Sequence, residues 1–363
     1  MKREDPRPRA RASLKDVAAA LGVSPATISN AYNRPHHLSA ELREKVFETA
    51  RQLGYPGPNP IARSLRLGQA GAVGVLYPEQ LPLAFSDEVT AQFLRGVTAA
   101  TEAAGLGLLL IPAPLSTQPE MSTVQKASVD GLILYSISEN DARLEAAKAR
   151  QVPIIVVDQP RQANLPFVGI EDQKAAREAA QHVRALGHQH VGILGFKLAA
   201  QTEVGWFSPQ APIAGTYPIS KARLQGYLEG LFPEGHIQRD QIPIYLCGSN
   251  HPTSGLEAAH QLLDQHPETT ALLAMNDRLA FGALMAARER GMRVPEDLSV
   301  IGFDDGEQAQ QWDLTTIHQS SEDKGRCAGE ALILALQGKT PPLEHILPTH
   351  LKVRKTSGPP RGN

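Results

Sequence analysis

The sequence predicts an N-terminal all-α head, a helix-turn-helix with a short hinge helix, followed by an α/β core of two parallel-sheet subdomains. Three observations carry this expectation. The first 68 residues divide into short, well-punctuated helices. Beyond them, continuous apolar strands alternate with helical segments in two successive sets, the pattern of parallel sheets covered on both faces. Charge divides at the same place: residues 1–68 hold 12 Lys/Arg and 6 Asp/Glu, a net of +6, while residues 69–363 hold 24 and 32, a net of −8. A small basic head on an acidic body points to a polyanion-binding module joined to something else.

Composition sets the bounds. The chain has 363 residues, 42% apolar and 20% charged, enough for two or three domains with real cores. No apolar run approaches the ~18–20 residues that span a bilayer, and MKREDPRPRARA is charged and Pro-broken, unlike a secretory leader. Cys247 and Cys327 stand far apart, which excludes a disulfide scaffold or zinc module. The expectation is a cytoplasmic protein without membrane partner or cofactor. No GxSxG, HExxH, GxxxxGK[ST] or CxxC stands in a suitable context, so no enzyme is expected. His182, His188 and His190 surround a helix end at Gly187. A helix C-terminus that favours cations accounts for them, and no metal site is expected.

In the head, residues 1–12 read as a disordered basic arm and 13–58 as the helix-turn-helix. Ser13-Leu-Lys-Asp16 is a capping box opening a helix to Leu21, which buries Leu14, Val17, Ala18 and Leu21 and stops at Gly22. Ser24 caps a second helix with Pro25 at its first position, where the missing N–H costs nothing. A third starts at Ser39 and ends at Gly54. Two short helices around a Gly-Val-Ser turn, closed by a third, make a unit whose second helix enters a major groove. Pro25 and Ala26 then offer apolar contact to a thymine methyl, and Asn30 can pair bidentately with adenine. Ser13, Ser24, Thr27, Ser29, Asn33, His37, Ser39 and Tyr55 are the candidates for phosphate contact. The alternative is a three-helix interaction domain with a solvated basic face.

Residues 59–68 read as a hinge helix, capped by Asn59, opened by Pro60 and stopped by Gly68. Helices this short are marginal alone and form only against a partner. Arg63 and Arg66 suit the minor groove or phosphates, and Leu65 suits a wedge between base steps. A plain interdomain linker is the bland alternative.

The core, residues 69–357, has one strand set at Val73–Leu76, Leu106–Ile111, Leu132–Tyr135 and Pro153–Val157, and a second at Val191–Leu194, Ile242–Leu246, Ala271–Met275 and Leu298–Phe303. The N-subdomain is expected at about 72–187 and 318–345, the C-subdomain at about 188–317 and 346–357, with 358–363 a tail. Ligands of open α/β sheets bind beyond the strands' carboxyl ends. Tyr135-Ser136, Asp158, Asn276-Asp277 and Asp304-Asp305 stand there, Arg223 begins a helix facing the second set, and Phe85, Trp206 and Phe207 are candidate aromatic walls. Each acidic residue also suits a plain helix cap. The step from Val191 to Ile242 is 51 residues against 29 and 27 for the next two, so Lys197–Pro218 is an added segment, read as a lid or dimer surface.

SLKDVAAALGVSPATISNAYN, LSAELREKVFETARQLGY and NPIARSLR together resemble the DNA-binding head and hinge of the lactose-repressor (LacI/GalR) family. MNDRLAFGAL, IGFDD, LTTIHQ and RLQGY resemble that family's effector-binding core, which shares its fold with periplasmic sugar-binding proteins. The resemblance implies a homodimeric transcriptional regulator, a repressor, on a pseudo-palindromic double-stranded operator. Its effector is a sugar or nucleoside held by Asp277 and Arg223, with Asp158 and Gln319 as further contacts. Leu65 takes the part of the leucine that intercalates at the operator centre. Asn30 stands where the family commonly has arginine, so an atypical half-site is expected. The alternative is an α/β sugar- or nucleoside-processing enzyme fused to a DNA-binding head. A plain solute-binding protein would have an export signal, and a nucleoid protein would bind without sequence preference.

Overall fold

The computed structural model describes residues 12–59, 64, 66, 68–79, 81–112, 121–232 and 242–361. The arm before residue 12 and the hinge positions Arg63 and Leu65 lie outside them. The chain divides into two compact units, Met1–Ala70 and Gly71–Asn363.

Three helices build the head: Leu14–Leu21, Pro25–Asn33 and Ala40–Gln52. Each begins at the serine its sequence assigns. Ser13 and Asp16 complete a reciprocal capping box, and the Ser24 and Ser39 side chains accept the Thr27 and Leu42 N–H groups. Gly22 ends the first helix at φ 65°, the left-handed region open to glycine. Val17, Ala18, Ile28, Ala31, Val46 and Ala50 form the buried centre. Tyr32 adds edge contacts to Phe47 and Tyr55, with centroids at 5.0 and 6.1 Å.

The core contains two sheets. The first is fully parallel in the order β12-β5-β4-β3-β1-β2, from β1 (Ala72–Tyr77), β2 (Gly107–Pro112), β3 (Gly131–Tyr135), β4 (Ile154–Val157), β5 (Phe167–Gly169) and β12 (Glu344–Ile346). The second runs β13-β11-β10-β9-β6-β8-β7, from β6 (Val191–Phe196), β7 (Gly205–Phe207), β8 (Ile244–Cys247), β9 (Ala271–Ala274), β10 (Ser299–Asp304), β11 (Thr315–Gln319) and β13 (Thr349–Lys352). Its outer strands β7 and β13 pair antiparallel. The inner strands are apolar and buried on both faces, as their sequences require.

The chain passes between the sheets three times: after β5, after β11, and between β12 and β13. Helix Ser321–Leu336, between the last two crossings, packs on helix Glu88–Ala103 at Gly325 and Gly96, where a Cβ on either would overlap the other helix's backbone. The expected tail is different from its reading. Gly358 donates its N–H to Ser299 Oγ at 3.1 Å, and its carbonyl lies 2.8 Å from His188 Nε2, so this end is sewn to the second sheet. His182 and His188 are thus fastening points for the C-terminal segment, with Ser357 Oγ 3.0 Å from His182 Nε2. Burial holds both imidazoles below the usual histidine range.

Candidate functional site

On the head, Pro25 and Ala26 are exposed at the start of the second helix, and Thr27, Ser29, Asn30 and Asn33 are half-exposed along it. The buried Ile28 and Ala31 face inward from the same helix, so its outer surface carries the candidates. Ser24 and Thr27 share a 2.9 Å hydroxyl bond, and Asn33 Nδ2 donates to the Ser29 carbonyl at 2.9 Å, which fixes that edge. His37 and Ser39 are exposed at the next turn. Tyr55 is different: its ring rests on Tyr32 and its burial is partial, which raises its phenol above the usual range. Asn59 and Arg66 are exposed, and Ser64 Oγ donates to the Gln69 carbonyl at 2.6 Å beyond them.

In the core, the strands' carboxyl ends from both subdomains meet at a cleft. Four residues there have left-handed backbone despite their side chains: Ser136 (φ 52°), Asp158 (φ 64°), Asp304 (φ 128°) and Asp305 (φ 63°). Such conformations persist where surrounding structure enforces them, often at binding sites.

Six of the nine sequence candidates gather here, and three of them, Arg223, Gln319 and Asp158, belong to one bonded chain. Arg223, buried, donates from Nε to Asp172 at 2.8 Å and from a terminal nitrogen to the Met275 carbonyl at 2.5 Å, and lies 3.6 Å over the Phe303 ring. Its other near carboxylate, Asp304, stands 3.8 Å away and accepts from Gln319 Nε2 at 2.6 Å. Gln319 in turn accepts from Lys324 at 2.7 Å, and Lys324 donates to Asp158 at 2.6 Å, reaching the first sheet. Asp277 accepts from Thr316 Oγ1 at 2.6 Å and from the Asp305 N–H at 2.8 Å. Asn276 caps helix Asp277–Glu289 through the Leu279 N–H, and Tyr135 stacks on Phe93 with centroids 4.2 Å apart. Burial is the first cause that lifts the Asp277 and Asp172 carboxyls above their usual range, and it pushes Asp304 up to about 7 against the pull of Arg223.

Two cavities lie among the strand ends; of the bonded chain only Asp304, and of the nine candidates only Asp277, is in a lining, both in the smaller cavity. One, of about 430 Å³, is lined by Glu79, Ser136, Gln159, Lys197, Tyr217 and Asn250, among others. The other, of about 190 Å³, is lined by Asp87, Glu88, Asp277, Arg278, Phe281 and Asp304, among others. Residues of both subdomains close across them. Arg278 meets Asp87 at 3.3 Å, Glu88 accepts from the Glu307 and Gln308 N–H groups, Gln159 Oε1 accepts from the Ile219 N–H at 3.0 Å, and Lys221 meets Glu139 at 3.4 Å.

The three aromatic candidates stand elsewhere. Phe85 is 72% exposed in the short helix Leu81–Ser86, beside the smaller cavity and outside its lining. Trp206 and Phe207 lie on β7, which pairs with β8 as the sheet's edge. Trp206 rests on Tyr245 and His266, and Phe207 packs on the core. The added segment extends the sheet in part, because its Gly-Trp-Phe run finds an open strand edge, while its Lys197, Ala200 and Tyr217 line the larger cavity and its Thr216 carbonyl accepts the Glu139 N–H at 3.0 Å across the cleft.

Sequence reading placed Ser136 at its strand end but missed Glu79, Gln159, Lys197, Ser249 and Asn250. The missed residues follow the ends of β1, β4, β6 or β8, so the strand-end rule would have found them had it been applied to every strand and carried one or two residues further. Among the described residues, no cluster of three or more His, Cys, Asp or Glu is arranged to hold a metal ion, and no helix is long and apolar enough to cross a membrane.

Comparison with known proteins adds a second line. The model of bacterial regulatory proteins of the lacI family matches residues 13–59, and a periplasmic binding protein-like domain matches residues 180–357. The HTH-type transcriptional regulator IpsA of Corynebacterium glutamicum is 41% identical over 326 residues, covering 88% of this chain and 90% of its own. The Lac repressor dimer bound to operator and the anti-inducer ONPF superposes with a TM-score of 0.75 at 26% identity, covering 96% of this chain and 100% of its own. The transcriptional regulator CelR in complex with cellobiose superposes with a TM-score of 0.63 at 26% identity, covering 95% and 100%.

Proposed function

The chain belongs to the LacI family of bacterial transcriptional regulators, and from that premise we propose that it is a homodimeric repressor governed by a small polar effector, a sugar or nucleoside. The relatives are DNA-binding regulators, and the fused-enzyme alternative is set aside with them. Pro25, Ala26 and Asn30 read bases, while Ser13, Ser24, Thr27, Ser29, Asn33, His37, Ser39, Tyr55, Asn59 and Arg66 position the head on phosphates. Arg63 and Leu65 act at the operator centre through the hinge. One small head covers one half-site, so a two-fold dimer on a pseudo-palindrome is the economical assembly. Operator binding by the Lac repressor dimer and cellobiose binding by CelR support the two halves of this reading.

The observation that carries it is the cleft itself. A bonded chain from Asp172 through Arg223, Asp304, Gln319 and Lys324 to Asp158 spans both subdomains, and Asp304 opens from it into a cavity. A ligand there changes the relative free energy of open and closed arrangements, and it controls DNA affinity only by that difference.

Selection from a random duplex pool should return a pseudo-palindromic site, bound at least ~10³-fold tighter than random DNA at equal salt. Sequence-tolerant binding would instead favour a nucleoid-type role. Repeating the titration with effector gives the sign of the coupling.

A further inference from the structure

Residues 197–218 leave the wall of the larger cavity and come back to it. Lys197 and Ala200 line that cavity at the start of the segment and Tyr217 lines it at the end, while the middle supplies β7. The return is fixed within the second subdomain. The Tyr217 N–H donates to the Leu198 carbonyl at 3.0 Å, and Leu198 is buried in the core. Gly215 passes so close that a Cβ on it would overlap the Leu198 carbonyl group. Directly after Tyr217 begins helix Pro218–Leu231, which carries Arg223.

From this seat the segment reaches the other subdomain. The Thr216 carbonyl accepts the Glu139 N–H at 3.0 Å and the Ser138 hydroxyl at 3.3 Å, both in the loop after β3. Just beyond, the Ile219 N–H donates to Gln159 Oε1 at 3.0 Å, after β4, and Lys221 meets Glu139 at 3.4 Å. Two of the segment's main-chain groups, the Thr216 carbonyl and the Ile219 N–H, thus carry the crossing, so it depends on the path the segment takes. Side chains hold the cleft elsewhere, through Asp87 with Arg278 and through Glu88 with the Glu307 and Gln308 N–H groups.

Tyr217, between these two fastenings, adds an independent observation. Its phenol oxygen is buried without a hydrogen-bond partner among the described residues. Burial, then the nearby Asp141, raises the phenol above its usual range, so it stays protonated and can both donate and accept. A buried hydroxyl left unpaired costs the fold free energy, and a polar atom in the cavity would relieve that cost.

We propose that residues 197–218 form a strap that fastens the two subdomains at this edge of the cleft, and that a ligand in the larger cavity bonds the Tyr217 phenol and so favours the fastened state. This rests on the regulator reading above and names the part of the chain through which an effector acts. The ligand shifts the balance only as far as it prefers the fastened arrangement.

Residue-resolved hydrogen exchange of the full chain tests the strap without any ligand. Gly215→Ala displaces it and should speed exchange at the Glu139 and Ile219 N–H groups at least ~tenfold, the scale of one or two lost bonds, with the inner strands unchanged. The double variant Ser138→Ala, Lys221→Ala keeps Gly215 and removes two fastenings by side chain alone. It should move Glu139 in the same direction, and it decides the matter if Gly215→Ala loosens the whole core. Wild-type exchange at Glu139 in either folded variant overturns the strap. Tyr217→Phe tests the phenol. Its urea midpoint should hold or rise, whereas a fall reveals a structural partner for the hydroxyl and overturns its role. Thermal shifts with pentoses, hexoses, cellobiose, adenosine and cytidine complete the comparison. Each compound that binds wild type should bind Tyr217→Phe about tenfold more weakly, the scale of one hydrogen bond, and equal affinity overturns the contact. Operator selection keeps the two readings apart. Sequence-tolerant DNA binding sinks the regulator reading and leaves the exchange result standing, whereas wild-type exchange in the variants sinks the strap and leaves operator preference standing.

Discussion

The Asp87 carboxylate and the Arg278 guanidinium meet at 3.3 Å, one from each subdomain, with both side chains largely buried. Asp87 also accepts from Thr90 Oγ1 at 2.6 Å, so the acid is held in place before the arginine arrives. Removing the cation leaves a buried carboxylate unmatched. Arg278→Ala should therefore destabilise the closed core by ~1–3 kcal/mol. Small-angle scattering should show a larger radius of gyration and thermal unfolding a lower midpoint. If neither moves, this pair is not a clasp.

Asp277 supports the loop after β10 as much as it faces the smaller cavity. Its carboxylate receives Thr316 Oγ1 and the N–H groups of Asp305 and Gly306. Asp277→Ala strands those donors and should lose ~2–4 kcal/mol in urea unfolding, since each unsatisfied buried donor costs ~1–3 kcal/mol. The effector response should vanish while the head still binds DNA. A normal response in the variant places the ligand elsewhere.

Acid–base behaviour follows from Asp304, pushed up to about 7 by burial. Its folded value lies above its unfolded one, so the proton is held more tightly in the fold. The contribution is complete below about pH 4, the ordinary carboxyl range, and is lost as pH rises through about 7. Asp304→Asn should flatten that decline. The comparison is the difference between wild type and variant in urea midpoint at pH 5 and pH 7.5, because buried His188, held low, acts in the opposite sense and cancels in the difference. Parallel pH profiles would reject the assignment.

Leu65→Ala should weaken operator binding at least tenfold, since a lost wedge forfeits part of the few kcal/mol that base-step insertion involves. Effector binding by the core should stay unchanged. Fluorescence anisotropy with operator and titration calorimetry with effector read the two separately. Equal operator affinity in variant and wild type removes the hinge from the mechanism.

What was legible in the sequence was local. Ser13, Ser24 and Ser39 announce their helices through side chains that bond the N–H three residues on, and the inner strands announce themselves as apolar runs. The three-residue strands did not, because Phe167–Gly169, Gly205–Phe207 and Glu344–Ile346 become strands only against a neighbour's edge. The strand-end rule reached Tyr135-Ser136 and Asp158, yet it is Ser136 and the successor of Asp158, Gln159, that line the cavity. A left-handed residue at each turn, Ser136 and Asp158, breaks the alternation by which facing is read. Pairings were out of reach for a different reason. Lys324 and Asp158 are 166 positions apart and Arg223 and Asp172 are 51 apart, and no local pattern records such matches.

The three passages of the chain between the sheets decide how this protein can be recombined. Residues 13–59 are one uninterrupted stretch, so a different head can be grafted by a single splice. Neither sheet is contiguous: β12 returns to the first after β11 has completed most of the second. Exchanging one lobe for a relative's would require several simultaneous joins, each through the walls of the cleft. New ligand preference must therefore arise here by point substitution at strand ends, whereas new DNA preference is free to arrive as a cassette.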